Sequence, residues 1–167
     1  MPAPMPDPPP DPPADTIDVE IRVEDDAAGR GPGTLAATII TYGTEARTRP
    51  EVFARGSLFW PPAGIEINSE HRGEAIMTAV PAVVGDDVTV HEPIPDTPAG
   101  RRLSADIAAG RYAGMSIEFR AIRERRAGAL REIHQAALVG AAVTARPDYT
   151  TTVETRTAPP DCGLGWM

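Results

Sequence analysis

The chain has 167 residues, 41% of them hydrophobic, which is enough apolar material for one modest core and a single domain. Its net charge of -8 argues against a nucleic-acid partner, because neutralising phosphates requires a surplus of basic side chains. The single cysteine, Cys162, excludes an internal disulfide and a cysteine-based metal site.

The sequence also bears on membranes and cofactors. No apolar run has the length of a membrane span, and the first residues are rich in proline and aspartate, unlike a signal peptide. We therefore expect no membrane association and a reducing, cytoplasmic location, which fits the single cysteine. We expect neither a metal ion nor a cofactor, because no HExxH or paired-cysteine spacing occurs.

Composition divides the chain into three parts. Residues 1–15 alternate proline with aspartate and alanine, a composition that offers nothing to bury and predicts a disordered arm. Residues 16–157 carry the apolar periodicity of a folded domain, and residues 158–167 read as a flexible tail. The first strand is predicted by alternating apolar residues: Ile17, Val19, Ile21 and Val23.

The remaining pattern predicts a mostly β, α+β domain. Gly31-Pro32-Gly33 signals a turn before a second strand over 35–42. Further strands are predicted at 65–68, 75–80, 88–90, 113–120, 130–138, 140–144 and 150–156. One helix is predicted between Thr97, a suitable N-cap, and Gly110, a suitable end, and a helical turn is predicted near 51–55.

Few side chains in this sequence are suited to covalent or acid/base chemistry. Of the three histidines, His91 and His134 are interpreted as surface or structural residues, whereas His71 follows a predicted strand, where a side chain is aimed from a rigid base. Ser116 enters an apolar strand after two glycines. Taken alone, that position is typical of an ordinary strand serine, so spacing does not identify an enzyme.

Several segments between residues 19 and 156 follow one another in an order that is informative as a set. They are EVFARGSL (51–58), the segment ending in His71, DTPAGR (96–101), GMSIEF (114–119) and LVGAAV leading to RPDY (138–149). This order resembles the prohead proteases of tailed phages, a family distantly similar in fold to the herpesvirus capsid-maturation protease. The resemblance rests on a histidine before the predicted helix and a serine after it.

The resemblance implies a small closed or partly open β-barrel with flanking helices, in which Ser116 is the nucleophile of a serine endopeptidase and His71 its general base. The implied partners are the phage major capsid protein with its scaffolding segment, and the chain itself through autoprocessing. The implied location is the procapsid in the host cytoplasm. Because herpesvirus relatives gain activity by dimerising, a homo-oligomer is a further expectation.

The sequence departs from the family at the third catalytic position. Many members carry Leu-x-Glu-Val-Ser, but the glutamate position is Gly140 here and the serine position is Ala142. Either the enzyme works with a dyad or another side chain fills the space. Glu118 is the preferred replacement, because strand alternation puts it on the face of Ser116 and antiparallel pairing could set it opposite Gly140.

Other assignments stay open at this stage. Glu118 could equally be a solvent-facing strand residue, and Glu132 and His134 are the next candidates for the third member, unless a bulge changes their face. The resemblance also implies oxyanion donors near Arg146. Two other functions remain: a catalytically inactive assembly factor of the same fold, and an unrelated mostly β phage structural or adaptor protein.

Overall fold

The computed structural model describes residues 21–25 and 31–147, and within them the chain forms ten strands and one helix. The predicted mostly β, α+β class is confirmed. The elements are β1 Ile21–Glu24, β2 Thr34–Thr41, β3 Glu51–Phe53, β4 Leu58–Phe59, β5 Ile65–Ser69, β6 Arg72–Ala79, β7 Ala82–Val84, β8 Asp87–Pro93, α1 Pro98–Ala108, β9 Gly114–Ala127 and β10 Leu130–Thr144.

The helix forms where its end signals predict it. The Thr97 hydroxyl accepts a hydrogen bond from the Gly100 amide at 3.1 Å, which satisfies one of the unpaired donors of the first turn. Leu103 and Ile107 lie on one face and are buried against the sheets. Gly110, with φ of 71°, follows the last turn in the left-handed conformation that glycine adopts at low cost.

The strands form two sheets. The first has four strands in the order β1, β2, β8, β7. In the second, β10 is central: β9 pairs with it antiparallel along one edge, while β3, β4 and β5 pair with it parallel, one after another, along the other edge. Strand β6 continues this sheet beyond β5. The ladders of the described residues make two sheets, and closure into a barrel stays a prediction.

Strand alternation separates the two faces of the second sheet. Met115, Ile117, Ala141 and Val143 join the buried apolar cluster, together with residues of the first sheet such as Leu35. The residues between them therefore project from the opposite face, which we call the outer face. The outer face of β9 and β10 is where the candidate catalytic residues lie.

Two local predictions are wrong. The helical turn predicted near residues 51–55 is strand β3, which gains its hydrogen bonds by pairing with β10, and tertiary pairing outweighs a weak local helix preference. The two strands predicted over 130–138 and 140–144 form one strand, because β-bulges between Ile133 and Gly140 absorb the change of alternation. The arm at 1–15, the strand at 150–156 and the tail at 158–167 lie outside the described residues, as do parts of the first strand and of the predicted domain.

Candidate active site

Ser116 and Glu118 lie two residues apart on the outer face of β9. Ser116 pairs with Ala142 of β10, and Ala142 pairs with Asn68 of β5, so these three residues form one row across the sheet. Glu118 begins the next row, in which it pairs with Gly140 of β10. Paired residues project from the same face, so small residues on the central strand leave space between β9 and β5.

The Glu118 carboxylate occupies the space that Gly140 leaves open. A Cβ atom built on Gly140 would lie 3.4 Å from Glu118 Oε2 and 3.4 Å from the Glu66 carbonyl oxygen. The register of β9 and β10 shifts between Leu138 and Gly140, and this bulge sets Glu118 opposite the glycine. The pairing that strand alternation predicts for Glu118 and Gly140 is present.

His71 lies in the two-residue turn that joins β5 to β6. Ser69 pairs with Arg72, and the two residues between them, Glu70 and His71, have φ of 51° and 56°. Such hairpin turns require positive φ at both central residues and favour Asn-Gly, whereas glutamate and histidine are strained there. The turn folds the histidine back over the outer face of the sheet.

The imidazole of His71 contacts the carboxylate of Glu118. His71 Nδ1 lies 2.7 Å from Glu118 Oε1, and the two side chains are 35% and 44% exposed. A carboxylate at Nδ1 favours the tautomer that carries its proton there, which leaves Nε2 free to accept a proton. This is the arrangement in which a serine hydrolase orients its general base.

Ser116 is covered although it lies on the outer face. Its exposure is 4% and that of Ala142 is 0%. His71 lies in the turn beyond the row of Ser69 and Val143, and it contacts Glu118, which lies on the same face of β9 as Ser116 and two residues further along. The hydrogen bonds of residues 21–25 and 31–147 include none between His71 and Ser116, and such bonds are often long without substrate.

The alternative third members lie elsewhere. His134 Nε2 is 3.3 Å from Glu132 Oε2, and Glu132 also accepts a hydrogen bond from Arg125 Nε at 3.0 Å. His134 is six residues from Gly140 along β10, or about 20 Å at the usual rise per residue, and bulges intervene. The structure therefore brings together His71 and Glu118, and it keeps His134 and Glu132 near the far end of the hairpin.

The amides near Arg146, expected as oxyanion donors, already have partners within the chain. The Arg146 amide donates to the Thr144 hydroxyl at 3.1 Å, and the Ala145 amide donates to Glu70 Oε1 at 2.9 Å. The second of these contacts involves a residue that the sequence did not single out. Its only signal there was a glutamate directly before the candidate histidine.

An apolar pocket of about 400 Å³ borders the site on the outer face. Phe59 and Val139 contribute to its lining and are 46% and 55% exposed. Trp60, Leu138 and Arg120 are also part of the lining. Val139 directly precedes Gly140, and Arg120 lies two residues beyond Glu118, so the pocket adjoins the histidine–glutamate pair.

Other features bear on the class of chemistry. Among residues 21–25 and 31–147, no three histidine, cysteine, aspartate or glutamate side chains cluster in a way that could hold a metal ion. The one helix in that part of the chain, α1, is too short and too polar to cross a membrane.

Comparisons with protein-family models, with curated proteins and with solved structures found no match.

Proposed function

We propose that this chain is a serine endopeptidase in which Ser116 is the nucleophile, His71 the general base and Glu118 the carboxylate that orients the base. The observation that carries the proposal is the 2.7 Å contact between His71 Nδ1 and Glu118 Oε1, since Glu118 lies on the strand and face of Ser116, two residues away. A serine, an imidazole and a carboxylate in this order form the recurring unit of serine hydrolases.

The proposed reaction follows from the free nitrogen of the imidazole. His71 Nε2 takes the proton of the Ser116 hydroxyl as the oxygen attacks a peptide carbonyl carbon, and Glu118 stabilises the imidazolium that forms. The imidazolium then gives its proton to the leaving amine, and the C–N bond breaks. Water, deprotonated by the same nitrogen, hydrolyses the acyl-enzyme and restores the serine.

The pocket beside Glu118 supports a peptide as the substrate. Large exposed apolar side chains beside a catalytic unit are suited to hold an apolar substrate side chain, and Phe59 and Val139 supply such a surface. Because Ser116 is 4% exposed, the scissile carbonyl would have to reach a side chain that is largely covered.

The biological role in this proposal rests on the sequence resemblance to the prohead proteases. The substrates are then the scaffolding segment of the phage major capsid protein and the chain's own ends, and the reaction takes place inside the procapsid in the host cytoplasm. A membrane, a nucleic acid or a cofactor has no part in it, and assembly of the chain into a homo-oligomer is part of the same proposal.

A second candidate is a non-catalytic assembly factor with the same fold. Two observations favour it: Ser116 is 4% exposed, and no hydrogen bond among the described residues joins it to His71. The family glutamate is also replaced by Gly140. Against it stands the carboxylate of Glu118, which occupies the vacated position and contacts the histidine.

Covalent labelling of the serine tests the proposal. A fluorophosphonate probe should label the wild-type protein and leave Ser116→Ala unlabelled, while Ser104→Ala, which alters a serine on α1, should label like the wild type. In co-expression with the major capsid protein, Ser116→Ala should lower the rate of capsid-protein processing by several powers of ten, because catalytic residues act as a unit. The melting temperature of this variant should stay within a few degrees of the wild type.

The two readouts separate the candidates. Labelling at Ser116 without capsid cleavage would support a serine hydrolase but contradict the capsid protein as its substrate. The absence of both labelling and cleavage in the folded wild-type protein would favour the assembly factor. Capsid cleavage by the Ser116→Ala protein at the wild-type rate would remove the proposed nucleophile.

A further inference from the structure

We infer that Glu70 is a positioning residue, whose carboxylate ties the turn that bears His71 to the end of β10. The inference rests on the proposed function for the role of His71, and on three measured contacts for the tie itself. The Glu70 amide donates to the Val143 carbonyl oxygen at 2.9 Å. Its carboxylate accepts from the Thr144 hydroxyl at 2.9 Å and from the Ala145 amide at 2.9 Å.

The turn needs such a tie because its backbone is strained. Glu70 and His71 both have left-handed φ values, at 51° and 56°, and neither is glycine or asparagine. Side chains with a Cβ rarely adopt this conformation, and it persists only where surrounding contacts hold it.

The contacts of Glu70 come from a distant part of the chain. Thr144 lies 74 residues further along the chain and is the last residue of β10. This strand also pairs with Ser116 of β9 and with Asn68 of β5. The exposure of Thr144 is 5%, so the hydroxyl that meets the carboxylate is shielded from water. The carboxylate thus fixes the turn to the same strand that sets the register of the nucleophile.

A carboxylate is suited to this task in a way that an amide is not. Each of its two oxygens accepts from a different donor, one a hydroxyl and the other a backbone amide. Glutamine at position 70 would keep one oxygen for the Ala145 amide, but its NH2 group would donate to the Thr144 hydroxyl instead of accepting from it. The hydroxyl proton, whose oxygen already accepts from the Arg146 amide, would then lose its acceptor. Because His71 is the adjacent residue, a shift of the turn moves the imidazole relative to both Glu118 and Ser116.

The experiment compares Glu70→Gln with Glu74→Gln in the full-length protein. Glu74 is an exposed glutamate on β6 in the same hairpin, so it is a matched control for the loss of one charge. Two quantities are measured: the rate constant for fluorophosphonate labelling of Ser116, and the imidazole NH resonance of His71 by NMR, assigned with a His71→Asn variant. The melting temperature of each variant is recorded as well.

Glu70→Gln should lower the labelling rate about 10²-fold, as misplacement of a catalytic group by about 1 Å does. It should also shift or broaden the His71 NH resonance, and Glu74→Gln should change neither quantity. Thr144→Val should weaken labelling to a smaller extent. The double variant Glu70→Gln/Thr144→Val should be little worse than Glu70→Gln, because both changes remove the same tie.

The outcomes separate this inference from the proposed function. If the wild-type protein labels, and Glu70→Gln has the same labelling rate and the same His71 resonance, the positioning role of Glu70 is wrong. The protease proposal then still stands. If the wild-type protein does not label, the protease proposal fails, and the His71 resonance alone decides whether Glu70 positions the ring. If Glu70→Gln does not fold, Thr144→Val decides by the same two measurements.

Discussion

The two ends of the β9–β10 hairpin carry similar pairs of side chains in different surroundings. At one end His71 contacts Glu118 at 2.7 Å, and at the other His134 contacts Glu132 at 3.3 Å. At the first end Glu118 shares its strand and its face with the buried Ser116. At the far end, residues 120–135 contain no serine, threonine or cysteine. A histidine–glutamate pair therefore marks a candidate catalytic site only where a nucleophile lies with it.

The far end instead has the charge pattern of a structural ladder. Arg131 forms an ion pair with the buried Glu51 and donates from Nε to Glu124 Oε2 at 2.9 Å. This hydrogen bond holds the pKa of the exposed Glu124 below its ordinary value. Hydrogen bonds to Glu124 and Glu51 raise the pKa of Arg131 in turn, so the guanidinium stays charged. These ion pairs link β3, β9 and β10 to one another.

The largest expected difference between the two ends comes from neutralising one carboxylate at each. Glu118→Gln should lower turnover about 10⁴-fold, because the imidazole loses the group that selects its tautomer and stabilises its cation. Glu132→Gln, the same change beside His134, should leave turnover within about twofold of the wild type. The measurement is the initial rate of capsid-protein cleavage, and equal effects at the two ends would remove the distinction.

A large effect on stability is expected at the far end. Arg131→Ala should lower the free energy of unfolding by about 2 kcal/mol, since it removes one charged hydrogen-bond partner of the Glu51 carboxylate, which is 1% exposed. Urea denaturation measures this change, with Arg123→Ala as the exposed control. At temperatures where the variant is still folded, Ser116 should label at the wild-type rate, and a parallel loss of labelling would show that the two ends are coupled.

A smaller effect is expected from filling the space above Gly140. Gly140→Val would compete with the Glu118 carboxylate for that space and should lower turnover by up to about 10²-fold through displacement of the carboxylate. Gly140→Ala should be close to neutral, because its Cβ would lie 3.4 Å from the nearest atoms, which is close to ordinary contact. Kinetics of both variants check this, and a stronger loss in the alanine variant would contradict it.

The smallest effect is expected for the histidines outside the site. His134→Ala and His91→Ala should each change turnover by less than about twofold, since one pairs with Glu132 and the other with Glu24, at 3.0 Å. His71→Ala should inactivate the protein in the same assay. A loss of activity in His134→Ala would restore that residue as a candidate third member.

Much of the site's geometry follows from strand periodicity. Alternation predicts that Ser116 and Glu118 share a face, and antiparallel pairing predicts that Glu118 lies opposite Gly140, which is the register found between β9 and β10. The helix was equally accessible to prediction, because the Thr97 cap and the glycine at its end are local signals. These features depend on residues within one or two elements.

The parts that were not predictable depend on distant contacts. The left-handed conformation of Glu70 and His71 runs against their own preferences, and it is held by Thr144, 74 residues away. Strand β3 likewise exists because β10 offers it a partner, although its residues suggest a helical turn. Local sequence does not indicate which strands pair, so neither the Glu70–Thr144 contact nor the β3–β10 pairing could be predicted from it.

The placement of Glu118 on the strand of the nucleophile also affects how the site comes together during folding. One residue of extended chain separates it from Ser116, so covalent geometry fixes the spacing of their Cα atoms at about 7 Å, whatever the neighbouring strands do. In a site whose three catalytic groups come from three separate chain segments, two of these segments must each pack correctly against the third. In the proposed site the serine and the carboxylate belong to one strand, and a single loop closure, between positions 47 residues apart, brings the imidazole to the carboxylate.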